Sequence, residues 1–556
     1  MKIVIIGSVA AGTSVAAKAR RNTEEAQIVL YDKDVDISYS ICGIPYAIGD
    51  EVGEFSELTP RSAPWFKKRY NVDIHTSHEV TKINHENKTL EGLNLLTNEP
   101  FTDTYDVLVF ATGSSYHVPE VFAEKSFENV FSVRNIQSGK TIHTYLQTHQ
   151  PKSAVVVGAG FIGLEMAEQL KEKGLDVTLL QRGKFPMSHL DWDMSIRVTD
   201  EIVKNGIDYR PEETVAELIG EQKLEAIKTT KGNNIQADLF ILATGVKPNT
   251  RLAESIGVKL GTTGAIQTNE KMQTNLPDVY AVGDVAESFH VITKKPIYRP
   301  LASTANKMGR IAGDVITGGN LTHQGILGTG ILRFFDTTIA QTGLTEFEAL
   351  NEGYDLAVLY NLKPNKPDYM HGKEMVIKAI ADKKTDRILG AQIIGKEGVD
   401  KRIDVLATAI SYGAKANELF HLDLAYAPPF STTKDPIHYT GMALDNAIQN
   451  QTPLMTPIEL IKRKAMGEKL QIIDTRSAVQ YEKSNVADAV NIPLAQLREK
   501  QADFDKELTT IVYCNSGVTG NAAQHILMNA GFTKAFNLSG GNKNYQEIMK
   551  NFDKFM

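Results

Sequence analysis

The sequence predicts an α/β fold of several domains, because strand-length apolar runs alternate with helical patterns and two of these runs lead into glycine-rich turns. Residues 2–6 form the first run, which is followed by a helical pattern that reaches Arg21. Residues 154–157 form a second run of the same kind. A chain of 556 residues has room for roughly three to four domains.

The first glycine-rich turn spans residues 7–12 and lacks the middle glycine of the usual dinucleotide fingerprint. Such a turn places a helix N-terminus against a pyrophosphate, whose charge suits the N–H groups there. The next predicted strand ends at Asp32, where an acid can bind ribose hydroxyls. The alternative is a structural turn followed by a surface acid. The predicted contacts to the dinucleotide are Gly7, Ala10, Ala11, Gly12, Asp32 and Lys33.

The second turn is a complete G-x-G-x-x-G, formed by Gly158, Gly160 and Gly163. Two such turns in one chain predict two dinucleotides with electron transfer between them. The strand after the second turn is followed by Gln181 and Arg182, without an acid. Arg182 can pair with a 2′-phosphate, whereas the neutral Gln181 does not exclude NADH, so the sequence leaves NADH and NADPH open.

Composition narrows the class of protein. A formal net charge of −7 argues against an electrostatic nucleic-acid binder. No apolar run approaches the ~18 residues that a membrane helix needs, and the initial run breaks at a glycine, so we expect no membrane association and a cytoplasmic protein. Two cysteines cannot form a disulfide framework, and no His/Cys/Asp cluster has the spacing of a metal site.

One of the two cysteines, Cys42, lies between Ser38 and Pro45, where Gly43 and Pro45 indicate a shaped turn that presents the sulfur. Ala47 occupies the position that a second thiol would take in a Cys-x4-Cys redox pair. A redox thiol without a partner cycles as a sulfenic acid, a persulfide or a mixed disulfide with another molecule. The alternative is a buried cysteine that serves packing alone.

Three further segments carry a family resemblance. Apolar strands end in Ala111-Thr112-Gly113 and in Ala243-Thr244-Gly245, and another ends in Gly283-Asp284. Together with the two turns, these motifs resemble the pyridine nucleotide-disulfide oxidoreductase family over roughly residues 1–445. The resemblance implies that the Ala-Thr-Gly and Gly-Asp segments close on FAD and that Asp284 binds its ribitol end.

The pattern Ser-x3-Cys-x2-Pro-Tyr around Cys42 resembles the branch that contains coenzyme A disulfide reductases, coenzyme A persulfide reductases, NADH oxidases and NADH peroxidases. Residues 396–404 and 425–431 resemble the dimerisation domain of the coenzyme A enzymes. This implies that Tyr426 reaches the cysteine of the opposite subunit, where its phenol can protonate a leaving thiolate. The alternative is an ordinary half-buried aromatic. The family's second site tyrosine falls by spacing on Asp368, with Tyr369 one residue later.

Coenzyme A carries a 3′-phosphate and a pyrophosphate, so its site needs cations near the cysteine. Lys18 and Arg21 lie about one helical turn apart and can share a face. Each basic residue is equally compatible with a solvated surface charge. The residues that match the family's coenzyme A contacts are Ser14, Lys18, Arg21, Ser38, Asn306 and Lys434, with Arg61 and the run Lys67-Lys68-Arg69 as further candidates.

The C-terminal part resembles a rhodanese domain over about residues 455–556. A strand runs directly into Cys514, and a helical pattern follows, an arrangement that favours a thiolate. The usual loop arginine is replaced near Val518 and Thr519, and the usual Gly-His by Ser484-Asn485. We therefore doubt thiosulfate sulfurtransfer and expect Cys514 to handle sulfane sulfur from a persulfide. The alternative is a structural cysteine in an inactive module.

The predicted fold class is α/β, with two Rossmann-like dinucleotide-binding domains, an α+β dimerisation domain and a C-terminal α/β rhodanese-like domain. The predicted bounds are 1–150 for the first part of the FAD-binding domain, 151–270 for the NAD(P)H-binding domain, 271–325 for the return segment of the FAD-binding domain, 326–445 for the dimerisation domain, 446–455 for a linker and 456–556 for the rhodanese-like domain.

The resemblance implies a homodimeric flavoprotein that uses FAD and NAD(P)H to reduce coenzyme A persulfide, polysulfide or disulfide. Cys42 forms a mixed disulfide with coenzyme A, and we expect nearby positive charge to lower its pKa. Cys514 delivers or accepts sulfane sulfur. Two alternatives remain, an NADH oxidase or peroxidase with a Cys42 sulfenic acid, and a sulfur carrier or redox sensor.

Overall fold

The computed structural model describes residues 1–449 and 452–552, which group into two compact units. The first unit contains Met1–Lys184 and Asn205–Ile326, and the second contains Phe185–Lys204 and Leu327–Met556. None of the helices in the described ranges is long and apolar enough to cross a membrane.

The first unit begins with a parallel sheet whose central strand is apolar after its first residue, Lys2. Its early elements are β1 (Lys2–Ile6), α1 (Ala10–Asn22), β2 (Gln27–Tyr31), α2 (Ile44–Ile48), α3 (Ala63–Tyr70), β3 (Asp73–His75), β4 (His78–Asn84), β5 (Thr89–Asn94), β6 (Glu99–Thr104), β7 (Val107–Phe110) and β8 (Ser114–Tyr116). Strand β1 lies between β2 and β7 and pairs in parallel with both, and β3 pairs with β2. Strands β4, β5 and β6 form a separate antiparallel sheet.

A second parallel sheet follows in the chain. Its region contains β9 (Val130–Phe131), α4 (Ile136–His149), β10 (Ser153–Val157), α5 (Phe161–Glu172), β11 (Asp176–Gln181), α6 (Trp192–Lys204), β12 (Asp208–Pro211), β13 (Val215–Gly220), β14 (Leu224–Thr229), β15 (Asn234–Gln236), β16 (Leu239–Leu242), β17 (Val246–Pro248) and α7 (Arg251–Glu254). The strand order is β12-β11-β10-β16-β9, with β13, β14 and β15 as an antiparallel addition.

The chain then returns to the first sheet. The returning elements are β18 (Val279–Ala281), β19 (Ser288–Phe289), β20 (Pro296–Ile297) and α8 (Ala302–Ile316). Strand β18 pairs with β7, so the first sheet has the order β18-β7-β1-β2-β3. Helix α8 packs so closely on α1 that two of its positions have no room for a side chain. A Cβ at Gly309 would overlap the carbonyl oxygen of Ala11, and a Cβ at Gly313 would lie 2.5 Å from the carbonyl oxygen of Val15.

The second unit contains an antiparallel sheet covered by helices. Its elements are β21 (Gly330–Phe334), β22 (Thr337–Gly343), α9 (Glu346–Asn351), β23 (Leu356–Pro364), β24 (Glu374–Asp382), β25 (Ile388–Gly395), α10 (Val399–Ser411) and α11 (Pro436–Ile448). The order β21-β22-β25-β24-β23 leaves β23 at one edge. The buried Arg402 of α10 pairs with Asp435 at 2.7 Å, which ties α10 to the start of α11.

Helix α6 groups with this antiparallel sheet, although it lies within the segment 151–270 predicted to bind NAD(P)H. The reason is a buried cluster in which the ammonium of Lys378 contacts Asp191 at 3.0 Å, Asp193 at 2.9 Å and Glu346 at 2.8 Å. A buried ammonium requires such partners, so the contacts hold α6 against the sheet.

The C-terminal part is a second α/β layer within the same unit. Its elements are β26 (Leu454–Met455), α12 (Pro457–Ala465), β27 (Leu470–Asp474), α13 (Ala478–Lys483), β28 (Val490–Asn491), α14 (Leu494–Lys500), β29 (Thr509–Tyr513), α15 (Val518–Asn529), β30 (Ala535–Leu538) and α16 (Gly541–Phe552). The parallel sheet has the order β26-β30-β29-β27-β28. The predicted α/β class, with two dinucleotide-type sheets, an α+β layer and a C-terminal α/β layer, is confirmed.

The predicted linker, residues 446–455, overlaps the end of α11 and all of β26. The backbone N–H of Thr452 donates to the carbonyl oxygen of Asn446 at 3.2 Å, so Thr452 lies beside the last turn of α11. Residues 450 and 451 of the predicted linker and residues 553–556 of the predicted rhodanese-like domain lie outside the described residues.

Candidate functional site

The first glycine-rich turn has the geometry that a dinucleotide requires. Gly7 has φ +110°, and a side chain there would overlap the carbonyl oxygen of Ala111. A side chain at Gly12 would overlap the carbonyl oxygen of Gly7. These contacts seat the first turn of α1, including Ala10 and the buried Ala11, at the carboxyl end of β1, where the helix N–H groups face a bound anion.

Asp32 at the end of β2 is positioned by the same turn. Its Oδ2 accepts hydrogen bonds from both the backbone N–H and the hydroxyl of Ser8, each at 2.7 Å. Burial raises the pKa of Asp32. A buried carboxylate gains from further hydroxyl donors, so this place fits the ribose of a dinucleotide. The adjacent Lys33 is exposed.

The two Ala-Thr-Gly segments are joined to each other. The hydroxyl of Thr112 donates to the carbonyl oxygen of Asn249 at 2.9 Å, and the Asn249 amide donates back to the carbonyl oxygen of Thr112 at 2.8 Å. The backbone N–H of His117 donates to the carbonyl oxygen of Gly245 at 2.8 Å. Gly113 and Gly245 follow β7 and β16, which belong to the two parallel sheets. The next strands, β8 and β17, pair antiparallel and so connect the two sheets.

The second glycine-rich turn contains one glycine that the protein itself does not require. Gly160 has an ordinary φ of −87°, and nothing lies within 4 Å of the position that its Cβ would take. By contrast, side chains at Gly158 and Gly163 would overlap backbone oxygens. Open space beside Gly160 fits the close approach of a pyrophosphate.

Gln181 stands at the end of β11, where Asp32 stands at the end of β2. Its Oε1 accepts a hydrogen bond from the backbone N–H of Ala159 at 3.0 Å, so the neutral amide supports the turn as Asp32 supports the other. The neighbouring Arg182 is exposed. Strand β11 therefore ends in a neutral amide, whereas β2 is followed by the carboxylate of Asp32.

Cys42 lies in a short 3-10 turn, Ile41–Gly43, directly before α2, and its side chain is solvent-accessible. The backbone N–H of Ser40 donates to the carbonyl oxygen of Leu58 at 2.8 Å, and the N–H of Gly43 donates to that of Ser40 at 3.3 Å. A side chain at Gly43 would lie 2.5 Å from Leu58. Local contacts therefore hold the sulfur at the surface of the turn. The expectation of a presented thiol agrees with this geometry.

The charged groups of the chain that act on the Cys42 thiol are carboxylates. Although the thiol is solvent-accessible, the protein packed around it raises its pKa, and the carboxylates of Glu165 and Asp284 raise the pKa further. The lowering expected for a Cys42 thiolate held next to the oxidised flavin stays a prediction, since these causes are groups of the chain alone. Negative side chains disfavour the thiolate, so the chain alone favours a neutral sulfur, as in a thiol or a disulfide.

Glu165 was missed by the sequence reasoning. It lies on the first turns of α5, two residues after Gly163, and the hydroxyl of Tyr46 donates to its Oε1 at 3.4 Å. Its position after the G-x-G-x-x-G motif was the only available signal. Tyr46 lies on α2, so α5 and the segment that bears the cysteine share one surface.

Asp284 follows β18 and lies beside a cavity lined in part by Tyr298, Arg299 and Leu301. Burial raises the pKa of Asp284, while Arg134 opposes this shift. The hydroxyl of Ser114 donates to its Oδ2 at 3.3 Å. The hydroxyls and the polyol chain of a flavin cofactor are groups that such a buried carboxylate can accept from.

The predicted coenzyme A contacts in the first unit fall into two groups. In the first group, the hydroxyl of Ser14 on α1 donates to the side-chain oxygen of Asn306 on α8 at 2.7 Å. Lys18 lies one turn further along α1, and its ammonium pairs with Asp314 of α8 at 2.9 Å. Lys18 therefore already has a carboxylate partner within the fold.

The second group surrounds two aromatic rings on or beside α3. The guanidinium of Arg21 lies 5.3 Å from the ring centroid of Tyr70, and its NH2 donates to the Tyr70 hydroxyl at 2.9 Å. Arg61 and Arg69 lie 5.3 Å and 5.5 Å from the Trp65 ring. We call these five residues the Arg–aromatic cluster. The rings were missed, although aromatic residues interleaved with the basic run were a usable signal.

The remaining candidates are distributed more widely. Ser38 has a φ of +49°, and its backbone N–H donates to the carbonyl oxygen of Ser8 at 3.0 Å, which joins the cysteine segment to the first glycine turn. Lys434 is exposed in the second unit, immediately before α11. In the same unit, Tyr369 is 71% exposed and Tyr426 is 48% exposed, which leaves open whether Tyr426 is a site residue or an ordinary half-buried aromatic.

Cys514 lies between β29 and α15, as predicted, and is 7% exposed. The backbone N–H of Gly517 donates to its sulfur at 3.2 Å. Val518 and Thr519 supply no cation, and the guanidinium of Arg476 lies near the loop, where it donates to the side-chain oxygen of Asn515 at 3.1 Å. Arg476 is also bound by the buried Asp474 at 2.6 Å, so its charge is largely balanced.

Ser484 and Asn485, which replace the usual Gly-His pair of a rhodanese domain, both make structural hydrogen bonds. The hydroxyl of Ser484 accepts a hydrogen bond from the Asn542 amide at 3.0 Å. The Asn485 amide donates to the carbonyl oxygen of Tyr481 at 3.1 Å.

Comparison with known families agrees with this architecture. Residues 1–309 match the family described as pyridine nucleotide-disulphide oxidoreductase. Residues 331–436 match the dimerisation domain of the same family, and residues 456–548 match the rhodanese-like domain.

Similar proteins include the NAD(P)H coenzyme A polysulfide/persulfide reductase of Pyrococcus horikoshii, which is 37% identical over 440 residues, covering 78% of this chain and 96% of that protein. The coenzyme A disulfide reductase of Staphylococcus epidermidis is 34% identical over 441 residues, covering 79% of this chain and 99% of that protein.

Solved structures extend the similarity to the whole chain. The reduced Bacillus anthracis CoADR-RHD superposes with a TM-score of 0.95 at 34% identity and covers 99% of this chain and 98% of its own. The NAD-dependent persulfide reductase from A. fulgidus gives a TM-score of 0.89 at 32% identity, with coverage of 98% and 100%. The chain therefore belongs to the pyridine nucleotide-disulphide oxidoreductase family, with a rhodanese-like domain after its dimerisation domain.

Proposed function

We propose that this protein is an NAD(P)H-dependent flavoprotein that reduces coenzyme A persulfide or polysulfide and coenzyme A disulfide, with Cys42 as the thiol that bonds to coenzyme A. The observation that carries the proposal is the solvent-accessible Cys42 on its turn, in one unit with two dinucleotide-type turns and without a second cysteine beside it. The similar proteins named above support the substrate class.

The two dinucleotide turns would hold FAD and NAD(P)H respectively. Gly7, Gly12, Asp32 and Asp284 would hold FAD, which when bound supplies a two-electron relay between the nicotinamide and the cysteine. Gly158, Gly160 and Gly163 would hold NAD(P)H, together with Gln181 and Arg182 at the ribose.

The covalent step balances without an outside oxidant. The sulfur of Cys42 attacks the coenzyme A sulfur of the persulfide, which forms a Cys42–coenzyme A disulfide and releases hydrosulfide. Two electrons from NAD(P)H and one proton then break this disulfide to the Cys42 thiolate and the free coenzyme A thiol. Burial, Glu165 and Asp284 raise the pKa of Cys42, so the chain alone disfavours its thiolate relative to the neutral thiol.

The Arg–aromatic cluster supports coenzyme A as the thiol carrier. Three guanidinium groups suit a 3′-phosphate and a pyrophosphate, and the rings of Trp65 and Tyr70 suit an adenine. Ser14 and Asn306 form a polar pair on the neighbouring helices α1 and α8, which can bind the amide-containing pantetheine arm.

The active form that we propose is a homodimer. The family dimerisation domain spans residues 331–436, and exposed aromatic side chains in this region include Tyr412 at 88%, Tyr426 at 48% and Phe430 at 70%. We propose that Tyr426 of one subunit serves Cys42 of the other by protonating the departing thiolate. Lys434, in the same segment as Tyr426, is proposed to contact coenzyme A.

The rhodanese-like domain extends the reaction to larger sulfur donors. Cys514 would receive sulfane sulfur from such a donor as a persulfide and pass it to coenzyme A, whose persulfide Cys42 then reduces. The hydrogen bond from the Gly517 N–H to the Cys514 sulfur supports a role in stabilising charge on that sulfur.

Mass measurement of the purified full-length protein tests the proposal. We expect a mass gain that matches one coenzyme A, lost on treatment with dithiothreitol and absent from Cys42→Ser. A protein without this adduct, whose Cys42 instead reacts with dimedone after peroxide and which reduces oxygen or peroxide rapidly, would be an oxidase or peroxidase.

A further inference from the structure

The rhodanese-like domain lies against the edge strand β23 of the dimerisation domain, within the second unit. The backbone N–H of Tyr360 on β23 donates to the hydroxyl of Ser539 at 2.8 Å, a bond that is buried. Lys543, at the start of α16, pairs with Glu374 of β24 at 2.6 Å. Asn544 accepts a hydrogen bond from Arg197 of α6 at 2.7 Å. Several polar contacts therefore hold the two domains together.

These contacts converge on the loop that carries Cys514. The backbone N–H of Lys543 donates to the carbonyl oxygen of Asn515 at 3.1 Å, and the N–H of Asn542 donates to that of Cys514 at 2.8 Å. The start of α16 thus binds the Cys514 loop on one side and the dimerisation domain on the other. The cysteine is held close to a surface that belongs to another domain.

Lys363 lies on this surface. It is on β23, three residues beyond Tyr360, and its register partner on β24 is Met375, next to Glu374. Its ammonium lies 4.0 Å from the ring centroid of Tyr439, a contact that fixes the side chain. Burial lowers the pKa of Lys363, and the negative charges of Cys514 and Glu374 oppose this shift.

The other charged groups around the loop are already paired. Arg476 is bound by Asp474, and Lys543 is bound by Glu374. No ion pair involves Lys363 in the ranges 1–449 and 452–552, although the negative charges of Cys514 and Glu374 act on it. Tyr439 packs against the ammonium and Tyr513 directly precedes the cysteine, and neither of these side chains is a cation. Lys363 is therefore the cation whose charge the loop can use.

We propose that Lys363 of the dimerisation domain completes the sulfur-transfer site of Cys514, where it supplies the positive charge that the loop itself lacks at Val518 and Thr519. Its ligand class is an anionic sulfane-sulfur donor, either an organic persulfide or thiosulfate. The inference rests on the proposed role of Cys514 as a sulfur carrier and is independent of reduction at Cys42.

The transfer step needs no further reactant. The sulfur of Cys514 attacks the terminal sulfur of the donor, a new S–S bond forms, and the bond within the donor breaks. The donor leaves as its thiolate, or as sulfite when the donor is thiosulfate, and Cys514 retains a persulfide. Lys363 attracts the anionic donor and stabilises the negative charge on the persulfide product.

Thiol alkylation of the full chain tests the inference. In a Cys42→Ser background, Cys514 is the only cysteine, and its reaction rates with iodoacetate and iodoacetamide are compared. The two reagents are similar in size and differ in charge. We expect Lys363→Met to lower the ratio of the anionic to the neutral rate by about tenfold, Lys363→Arg to preserve the ratio, and Lys384→Met, at an exposed site of the same domain, to leave it unchanged.

If the ratio of the iodoacetate rate to the iodoacetamide rate is unchanged in Lys363→Met, the inference is overturned. This includes the case in which both rates rise together because the Cys514 loop has become more accessible. Persulfide loading of Cys514 by thiosulfate and by glutathione persulfide, measured by mass, identifies the donor. Neither readout requires NAD(P)H turnover, so the inference and the proposed function fail separately.

Discussion

The ammonium of Lys18 lies 2.9 Å from the carboxylate of Asp314, which joins α1 to α8 through an ion pair. The close packing of these helices at Gly309 and Gly313 brings the two side chains together. The family resemblance predicts that Lys18 contacts coenzyme A, and the structure shows that it also pairs with Asp314. Stability and substrate affinity must therefore be measured separately.

Lys18→Met and Asp314→Asn separate these two roles. The hydrogen bond from Lys18 lowers the pKa of Asp314 to about 2. A lowered acid pKa contributes stability above the unfolded value, and this contribution is lost as the pH falls from about 4 to 2. Leu321 and Asn22 also lower this pKa, so at pH 7 we expect each substitution to cost about 1 kcal/mol in urea unfolding, and Lys18→Met to lose this effect near pH 2.

Substrate affinity gives the second readout for the same pair. If Lys18 contacts coenzyme A, Lys18→Met raises the KM for coenzyme A disulfide by about tenfold, whereas Asp314→Asn leaves it unchanged or lower. Equal KM values in the two variants would show that Lys18 serves only the α1–α8 contact.

Cys42→Ser should abolish the reduction of coenzyme A persulfide and disulfide. The hydroxyl cannot form a mixed disulfide, so kcat is expected to fall by on the order of 10³-fold or more. NAD(P)H oxidation is followed at 340 nm under nitrogen, with flavin content measured to confirm that the variant is folded. Substantial residual turnover with coenzyme A persulfide would contradict a mechanism that requires a mixed disulfide between Cys42 and coenzyme A.

Cys514→Ser should spare the reduction of free coenzyme A persulfide and lower turnover with larger persulfide donors. The reason is that only the larger donors need the rhodanese-like domain. Hydrosulfide release from each donor is measured side by side. An equal loss with both substrates, or no loss with either, contradicts a relay from Cys514.

Glu165→Gln should lower the pKa of Cys42, because the Glu165 carboxylate raises it. The pH profile of iodoacetamide alkylation, recorded in a Cys514→Ser background after reduction with dithiothreitol, should therefore shift to lower pH. Glu172→Gln is the matched control, since Glu172 is exposed on the same helix α5. An alkylation profile that is unchanged in Glu165→Gln, or that moves to higher pH, would contradict the effect of the Glu165 carboxylate on the pKa of Cys42.

Arg182→Ala tests the choice of nicotinamide. The exposed guanidinium can bind the 2′-phosphate of NADPH. The Gln181 side chain accepts a hydrogen bond from the glycine turn and does not discriminate between NADH and NADPH. We expect the KM for NADPH to rise by about tenfold and the KM for NADH to stay within twofold. A uniform change with both nucleotides would place Arg182 outside the ribose site.

The sequence by itself determined the features that depend on neighbouring residues. The strands, the glycine turns at Gly7 and Gly158, and the presentation of Cys42 arise within short segments, because backbone conformation and hydrophobic period are local properties. The strand–cysteine–helix arrangement at Cys514 is local in the same sense. The α/β class and the family follow from these segments.

Only the tertiary structure decided which distant groups meet. Glu165 and Asp284 bring negative charge to Cys42, Asp314 pairs with Lys18, and Lys363 belongs to a different domain from Cys514, whose charge acts on it. Electrostatic interactions act through space and depend on how sheets and helices pack, which local patterns do not encode. For that reason the placement of the two cysteines, each on a turn before a helix, was predictable from the sequence, and their electrostatic environments were not.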